Sequence, residues 1–249
     1  MTEIIRTEGV VLKRRDFGET SRVAVAYTRD AGKVQLLAKG ARNPKNKYGA
    51  ALEPLSRGEF VFYWREGKEL FTLSETFTVR PGRFIREDAK ALPYGLAMVE
   101  AVDKLSGEGD ADPRLYELLA STLEALDRGG PPAPLLAQFL LKLATQLGLK
   151  PALDKCAACG RVRPGDGVAL VLKDGTIVCR ACEPASGEAV AISPATYNFA
   201  NALTTFEPRR LRRVKAAPEL VEQTLSFIRA HLHYHTGLEI KSLTLTYYT

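Results

Sequence analysis

Hydrophobic and polar positions change their period near residue 81. Before it, the runs Ile4 to Lys13, Ser21 to Thr28, Lys33 to Lys39, Arg57 to Arg65 and Lys68 to Val79 are rich in Val, Phe, Tyr and Thr with partial alternation, the pattern of half-buried strands. Asp30-Ala31-Gly32 and Glu66-Gly67 supply hairpin-type turns between neighbouring runs. Five short strands in some eighty residues predict a small barrel over residues 1–80, an OB-fold or an SH3-like barrel. Phe60, Phe62 and Trp64 alternate on one face of the fourth strand, with Phe71 and Leu73 opposite. They read as barrel core, with a base-stacking platform as the alternative.

From Pro81 onward the period is helical. Phe84 to Leu105 carries Leu92, Leu96, Val99 and Val102 near helical spacing, and Asp112-Pro113 opens a second helix marked by Leu115, Leu118, Leu119 and Leu126. After the break Gly129-Gly130-Pro131-Pro132, Leu136, Leu140, Leu143 and Leu147 form a stripe at i, i+4, i+7 and i+11, with Gly148 placed to end the helix. Ser193-Pro194 starts another helix through Phe206, and a last one runs from Pro218 to Tyr234 on Val221, Leu225, Ile228 and Leu232.

Cysteine spacing adds a third module. Cys156-Ala157-Ala158-Cys159 and Cys179-Arg180-Ala181-Cys182 hold every cysteine in the chain, nineteen residues apart, the spacing of a four-thiolate zinc site. Four thiolates saturate a tetrahedral ion and leave no position for substrate, so the site reads as structural, a disulfide or redox pair being the alternative. Pro164-Gly165-Asp166-Gly167 and Lys173-Asp174-Gly175 flank the apolar run Val168 to Leu172, which predicts a zinc ribbon over 156–190. The expected class is α+β and multidomain: an N-terminal five-stranded barrel (1–80), a helical body in two parts (81–155 and 191–249), and the inserted four-cysteine ribbon packed on that body.

Charge separates these parts. The net charge is +6, yet residues 1–80 carry fifteen Lys and Arg against ten acids, 81–155 nine against eleven, and 156–249 eleven against eight. A basic barrel joined to an acidic middle suggests an anionic polymer held by one part and another partner by the next. The loop from Lys39 to Gly49 concentrates Lys39, Arg42, Lys45 and Lys47 with no acid, a phosphate-binding composition, and Tyr48 is placed to add base stacking. Lys13, Arg14 and Arg15, with Arg22 after the turn Asp16 to Glu19, form a second cluster. Arg209, Arg210, Arg212, Arg213 and Lys215 form a third, read either as a phosphate or partner contact or as a solvated face. Arg161, Arg163 and Arg180 offer the ribbon a route to DNA, though protein packing is the favoured reading.

The function classes narrow accordingly. Gly-x-x-x-x-Gly-Lys-Ser/Thr, Gly-x-Gly-x-x-Gly after a strand and Gly-x-Ser-x-Gly are all absent, and Glu87-Asp88 reads as a solvated helix face, not a nuclease site. His231, His233 and His235 lack the Glu of a metalloprotease helix and read as surface residues near a helix C-terminus. A zinc deaminase would need His-x-Glu beside Pro-Cys-x-x-Cys, which the chain does not have. No apolar run reaches membrane-spanning length, the opening Met1-Thr2-Glu3-Ile4-Ile5-Arg6 lacks a leader's basic-then-apolar pattern, and paired thiols suit a reducing compartment, so a cytoplasmic, non-enzymatic binder is expected. A zinc-ribbon adaptor that binds only protein is the alternative.

Gly9-Val10-Val11-Leu12-Lys13 leads to Phe17-Gly18-Glu19-Thr20-Ser21, then Gly32-Lys33, Ala38-Lys39-Gly40-Ala41-Arg42, Leu52-Glu53-Pro54 and Glu69-Leu70-Phe71-Thr72-Leu73. Leu147-Gly148-Leu149-Lys150-Pro151-Ala152-Leu153-Asp154 precedes the first knuckle, and Tyr234-His235 is followed by Lys241-Ser242-Leu243. Over essentially the whole chain this order resembles the bacterial RecO family. The resemblance implies an N-terminal OB-fold, a helical body and a zinc ribbon. It implies a recombination mediator that binds single- and double-stranded DNA, anneals complementary strands, engages single-stranded-DNA-binding protein and, with RecR, helps RecA displace it. On matching positions it implies DNA contacts at Lys13, Lys39 and Arg42, with Lys45 and Lys47 in the same loop. The acidic C-terminal tail of the single-stranded-DNA-binding protein would sit near Arg209 to Lys215.

Overall fold

In the computed structural model, residues 2–43, 45–46, 48–161, 167–183 and 189–242 are described. They begin with five strands, β1 (Thr2–Phe17), β2 (Ser21–Thr28), β3 (Gly32–Ala38), β4 (Arg57–Arg65) and β5 (Leu70–Arg80), closed into a barrel in the order β1-β2-β3-β5-β4. All pairs are antiparallel except β3 with β5, whose parallel register sets Leu36 beside Phe71. This topology is that of the OB-fold and decides between the two barrels that the strand count allows. The interior holds Val11, Ala24, Ala26, Val34, Leu36, Phe60, Phe62, Phe71 and Leu73, with Trp64 partly buried against them. The aromatic row of β4 is therefore core and not a stacking platform.

Strand β1 serves both neighbours, pairing with β4 from Thr2 to Val10 and with β2 from Gly9 to Phe17. It runs beyond the Ile4 to Lys13 segment expected for it, and its hairpin turn begins only at Gly18, in a left-handed conformation at φ +59°. The other strands start and stop within two residues of expectation, β2 and β4 at both ends without change.

Three helices complete the first of two compact units, which takes in Met1–Gly129 and the described part of Ile240–Thr249. Compactness thus draws the boundary at Gly129, inside the segment read as the first part of the helical body. The helix expected from Phe84 to Leu105 is two, α1 (Arg83–Glu87) and α2 (Leu92–Leu105). Asp88 is extended and its carboxylate accepts the Lys90 N–H at 2.8 Å, while Pro93 suits only the first turn of a new helix. Helix α3 (Pro113–Asp127) opens as expected, with the Asp112 carboxylate accepting from the Arg114 N–H.

Hydrogen bonds fasten these helices to the barrel. Lys33 Nζ donates to the carbonyls of Asp103 and Ser106, both at 2.8 Å, satisfying the C-terminal end of α2. The Tyr27 hydroxyl donates to the Asp110 carbonyl at 3.2 Å and accepts from the Asp112 N–H at 3.1 Å. At the chain's far end, Glu100 on α2 accepts the backbone N–H groups of Lys241 and Ser242 at 3.0 and 2.7 Å.

The second unit, Gly130–Glu239, is built on α4 (Pro132–Gln146), α5 (Pro194–Thr205) and α6 (Pro218–Thr236), packed pairwise. Helix α4 buries residues on nearly every side, so its one central polar residue needs partners: Gln138 Nε2 donates to the carbonyls of Leu203 and Phe206 at 2.8 and 2.9 Å. Gly148, at φ +74°, ends α4 as expected, its N–H reaching the Thr145 carbonyl and that of Leu149 the Ala144 carbonyl. Between α4 and α5 lies a three-stranded sheet of β6 (Val168–Val171), β7 (Thr176–Cys179) and β8 (Ala189–Ile192), in the order β7-β6-β8.

Two outcomes check this packing. Gly32 sits at φ +63°, where a Cβ would lie 2.5 Å from the Asp110 backbone; Gly32→Ala is expected to cost at least about 2 kcal/mol in urea unfolding. Burial opposes ionisation of Glu100, but the Lys104 side chain and the hydrogen bonds of Ser242 and Lys241 outweigh it and hold the carboxyl at about 2, below the ordinary 4.5. A depressed carboxyl stabilises the fold above its unfolded value and loses that contribution as pH falls from about 4.5 toward 2. Glu100→Gln should therefore cost about 1 kcal/mol at neutral pH and flatten the acid limb of the stability profile.

Candidate metal centre and nucleic-acid interface

The two Cys-x-x-Cys knuckles meet at one point. Cys156 opens a tight turn in which the Gly160 N–H donates to the Cys156 carbonyl at 2.9 Å, with Gly160 at φ +70°. The Ala157 N–H donates to the Ile177 carbonyl at 2.8 Å and so lays this turn against β7. Strand β7 ends on Cys179, and the single 3-10 turn Arg180–Cys182 brings Cys182 round to the same side. All four Sγ atoms lie within 4.8 Å of one another, and Cys159 and Cys179 are 3.8 Å apart. A tetrahedral ion with bonds of about 2.3 Å to sulfur places its ligands ~3.8 Å apart, so the cluster fits a metal ion.

Its electrostatics point the same way. Backbone N–H groups of Cys159 and then Cys179, the latter at 3.3 Å, stabilise a thiolate at Cys156 and lower its thiol to about 6. Cys182, sharing hydrogen bonds with the sulfurs of Cys179 and Cys159, is pushed up to about 12. Four thiols this close cannot all ionise unaided, and a divalent cation removes the conflict. With four sulfur ligands, such an ion has a closed shell and no catalytic position.

On the barrel, the basic cluster of β1 lines a groove of about 240 Å³ with Lys13, Arg14, Arg15, Val23, Val25 and Gln35, together with Asp103 and Glu108 beyond the barrel. A one-residue slip in the β1–β2 register puts the cations there. Val11 opposes Ala26 and faces the barrel interior; after the bulge at Leu12, Lys13 opposes Val25 and Arg15 opposes Val23 on the outer face. Without that slip, Lys13 and Arg15 would continue the inward-facing row. The loop after β3 leans on the same hairpin: the Arg42 N–H donates to the Thr20 carbonyl at 2.9 Å, and its guanidinium to the Gly18 carbonyl at 3.0 Å, 3.5 Å from the Asp16 carboxylate. Lys39 and Lys45 are exposed on this loop; Lys47 lies outside the described residues.

Residues 1–81 match the family model described as recombination protein O N terminal, and residues 86–244 that described as recombination protein O C terminal. The chain belongs to the RecO family. It is 31% identical to the DNA repair protein RecO of Alkaliphilus metalliredigens, over 93% of this chain and 94% of that one. Identity to the RecO of Rubrobacter xylanophilus is 34%, over 93% and 92% of the two chains, and to that of Geobacter sulfurreducens 38%, over 76% and 78%. Membership places the chain among DNA-repair recombination mediators, a family not known for enzymes.

Within this RecO family member, several residues singled out from the sequence take other roles. Tyr48 is buried in the barrel core and its hydroxyl donates to the Leu73 carbonyl at 3.2 Å, so it offers no stacking face. His231 is buried, not on the surface: its Nε2 meets the Leu149 carbonyl at 2.7 Å, and a Cβ on Gly175 would stand 3.0 Å from its ring. Burial holds its imidazole below the ordinary value. His233 and His235 are exposed as expected. Lys33 caps α2.

The cations of Arg209, Arg210, Arg212 and Arg213 belong to the second unit, on the 3-10 turn Pro208–Arg213, which is anchored by the buried Leu211 and leaves all four exposed. On the ribbon, Arg161 and Arg180 are exposed, and Arg163 lies outside the described residues. Asp103, Glu108 and Gln35 were not legible as groove residues, because only the packing of α2 on β1 brings the acids to the cations.

Metal analysis of the full chain is expected to find one equivalent, released by a thiol-modifying reagent. Cys156→Ser, at a buried corner of the cluster, should cut retention well below one equivalent and expose ribbon amides to hydrogen exchange. A wild-type content far below one would overturn the assignment.

Proposed function

We propose that this chain binds single- and double-stranded DNA through the barrel, anneals complementary strands and, with RecR, helps load RecA onto DNA coated by single-stranded-DNA-binding protein. The observation that carries this reading is the juxtaposition of two basic segments on one hairpin: Lys13, Arg14 and Arg15 from β1, and Lys39, Arg42 and Lys45 on the loop that Arg42 ties to Gly18 and Thr20. Exposed cations suit the sugar-phosphate backbone and carry no base preference. Screening two backbones at once promotes annealing without bond-making chemistry, which agrees with a family of mediators. Lys47 belongs to the same proposed contact set on sequence grounds.

The four cysteines hold zinc, as a staple for the ribbon. The acidic tail of the single-stranded-DNA-binding protein docks near Arg209, Arg210, Arg212 and Arg213, whose exposure leaves them open to carboxylates. The work is cytoplasmic; among the described residues no helix is long and apolar enough to cross a membrane.

Equilibrium binding of a fluorescent oligonucleotide across a salt series tests the reading. Wild type should bind single strands without sequence preference and weaken steeply with salt. Lys39→Ala should bind more weakly, with a log–log slope shallower by about 0.7, the counterion of one single-strand phosphate contact. No binding at low salt would instead favour a ribbon adaptor that contacts only protein.

A further inference from the structure

The groove that gathers Lys13, Arg14 and Arg15 also contains two acids. Asp103 Oδ2 stands 2.6 Å from Lys13 Nζ, and Glu108 stands 3.6 Å from Lys33 Nζ. Asp103 lies in the last turn of α2, where a negative charge faces the unfavourable end of the helix dipole. Helix stability therefore does not explain the acid. Its backbone is nonetheless firmly held, since Lys33, itself largely buried, donates to the Asp103 and Ser106 carbonyls from below. The main chain of this turn is clamped to the barrel, and the Asp103 carboxylate is delivered to the lysine that the bulge at Leu12 turns outward.

The pair is also poorly placed to act as a structural lock. The Lys13 side chain is 60% exposed and that of Asp103 15%. A half-solvated ion pair is worth no more than about 1 kcal/mol. Lys33 and Tyr27 already hold the helix end and the Asp110–Asp112 segment through four hydrogen bonds. What the carboxylate does accomplish is to fill, with an anion of the protein's own, the coordination that a phosphodiester oxygen would take.

We propose that Asp103 is a built-in competitor for the backbone phosphate at Lys13, so that the groove binds a strand by exchanging a carboxylate for a phosphodiester. This rests on the DNA-binding reading above and adds an affinity-setting residue to it. Exchange lowers affinity at the site by the strength of one exposed pair. It also removes one counterion from the salt dependence, because the cation that a phosphate sheds on meeting Lys13 is offset by the charge of the Asp103 carboxylate set free beside it. Glu108 lines the same groove, and its carboxylate stands 3.6 Å from Lys33 Nζ.

The test is a double-mutant cycle on the full chain with its metal, read by anisotropy of a labelled mixed-sequence single strand across a salt series. Asp103→Asn keeps the shape of the side chain and leaves the backbone acceptor of Lys33 in place. It should bind about 2- to 5-fold tighter than wild type at fixed low salt, the fold-change of an exposed ion pair, with a log–log slope steeper by about 0.7. Lys13→Ala should weaken binding, and adding Asp103→Asn to it should change neither affinity nor slope. If wild type binds and Asp103→Asn matches it, the exchange is overturned while DNA binding stands. Equal gains from Asp103→Asn with and without Lys13 also overturn it, since a general loss of negative charge would then suffice. If wild type binds no strand at low salt, the DNA-binding reading fails and takes the exchange with it.

Discussion

The barrel depends on one strand being shared. β1 must serve β4 with its first half and β2 with its second, and a strand that closes a small barrel has to bend between the two. Here the bend coincides with the slip at Leu12, and its consequence goes beyond closure. Because the side-chain period of a strand is two, a single inserted residue exchanges the faces of everything after it. Upstream of the slip, Thr7 and Val11 are buried with the barrel interior; downstream, Lys13 and Arg15 stand outside on the Val23–Val25 face. The slip sends two of the three consecutive cations outward; the third, Arg14, takes the row of Ala24 and is half-buried there, its guanidinium 3.1 Å from the Glu53 carboxylate. The same irregularity thus puts Lys13 and Arg15 on the outer surface of the barrel.

The second unit solves a different problem. Strands β6, β7 and β8 have four residues each, and the apolar cluster they enclose is small: Cys156, Ala169, Val178 and Cys179, with Val171, Cys182 and Ala189 packed around. That cysteine-side cluster is too small to hold the sheet by itself, and Val168, Leu170, Ile177 and Ile192 of the same strands are buried besides. Two of the four core members, Cys156 and Cys179, belong to the four-cysteine cluster, so the hydrophobic contacts and the proposed metal bonds rest on the same residues. His231 and Gly175 add a further attachment, since the turn between β6 and β7 abuts a buried imidazole of α6 and so leaves no room for a side chain there.

How much of this was legible in the sequence follows the range of the forces involved. The limits of β4, the caps at Asp112, Gly148 and Ser193, and the knuckle spacing are local, and local chemistry determines them. The break at Asp88 was visible as well, in Pro93 and in an apolar stripe that begins only at Leu92, although the helix was expected from Phe84. Tyr48 and His231 misled for the opposite reason. A tyrosine in a basic loop and a histidine near a helix end have polar neighbours in sequence, and only the tertiary fold turns one toward Leu73 and the other toward Leu149. The acid partners of the basic cluster lay wholly beyond sequence reading, since Lys13 and Asp103 are ninety residues apart.

Those partners change what net charge means here. Residues 1–80 carry an excess of cations, yet Arg6, Lys13, Arg14, Arg22 and Arg42 each stand within 4 Å of a carboxylate, on Glu59, Asp103, Glu53 and Asp16. Most of these pairs are solvated, and solvated pairs are weak enough to part when another anion arrives. A surface organised in this way differs from a bare basic patch of equal net charge. It holds its cations in place before a ligand binds, which limits the ordering cost. Under the proposed DNA binding it would also return them to internal partners when the strand leaves, which would limit how tightly any one strand is kept. For a recombination mediator, moderate and readily reversed contact with a polyanion is more useful than maximal affinity, because a strand that cannot be released cannot be passed on.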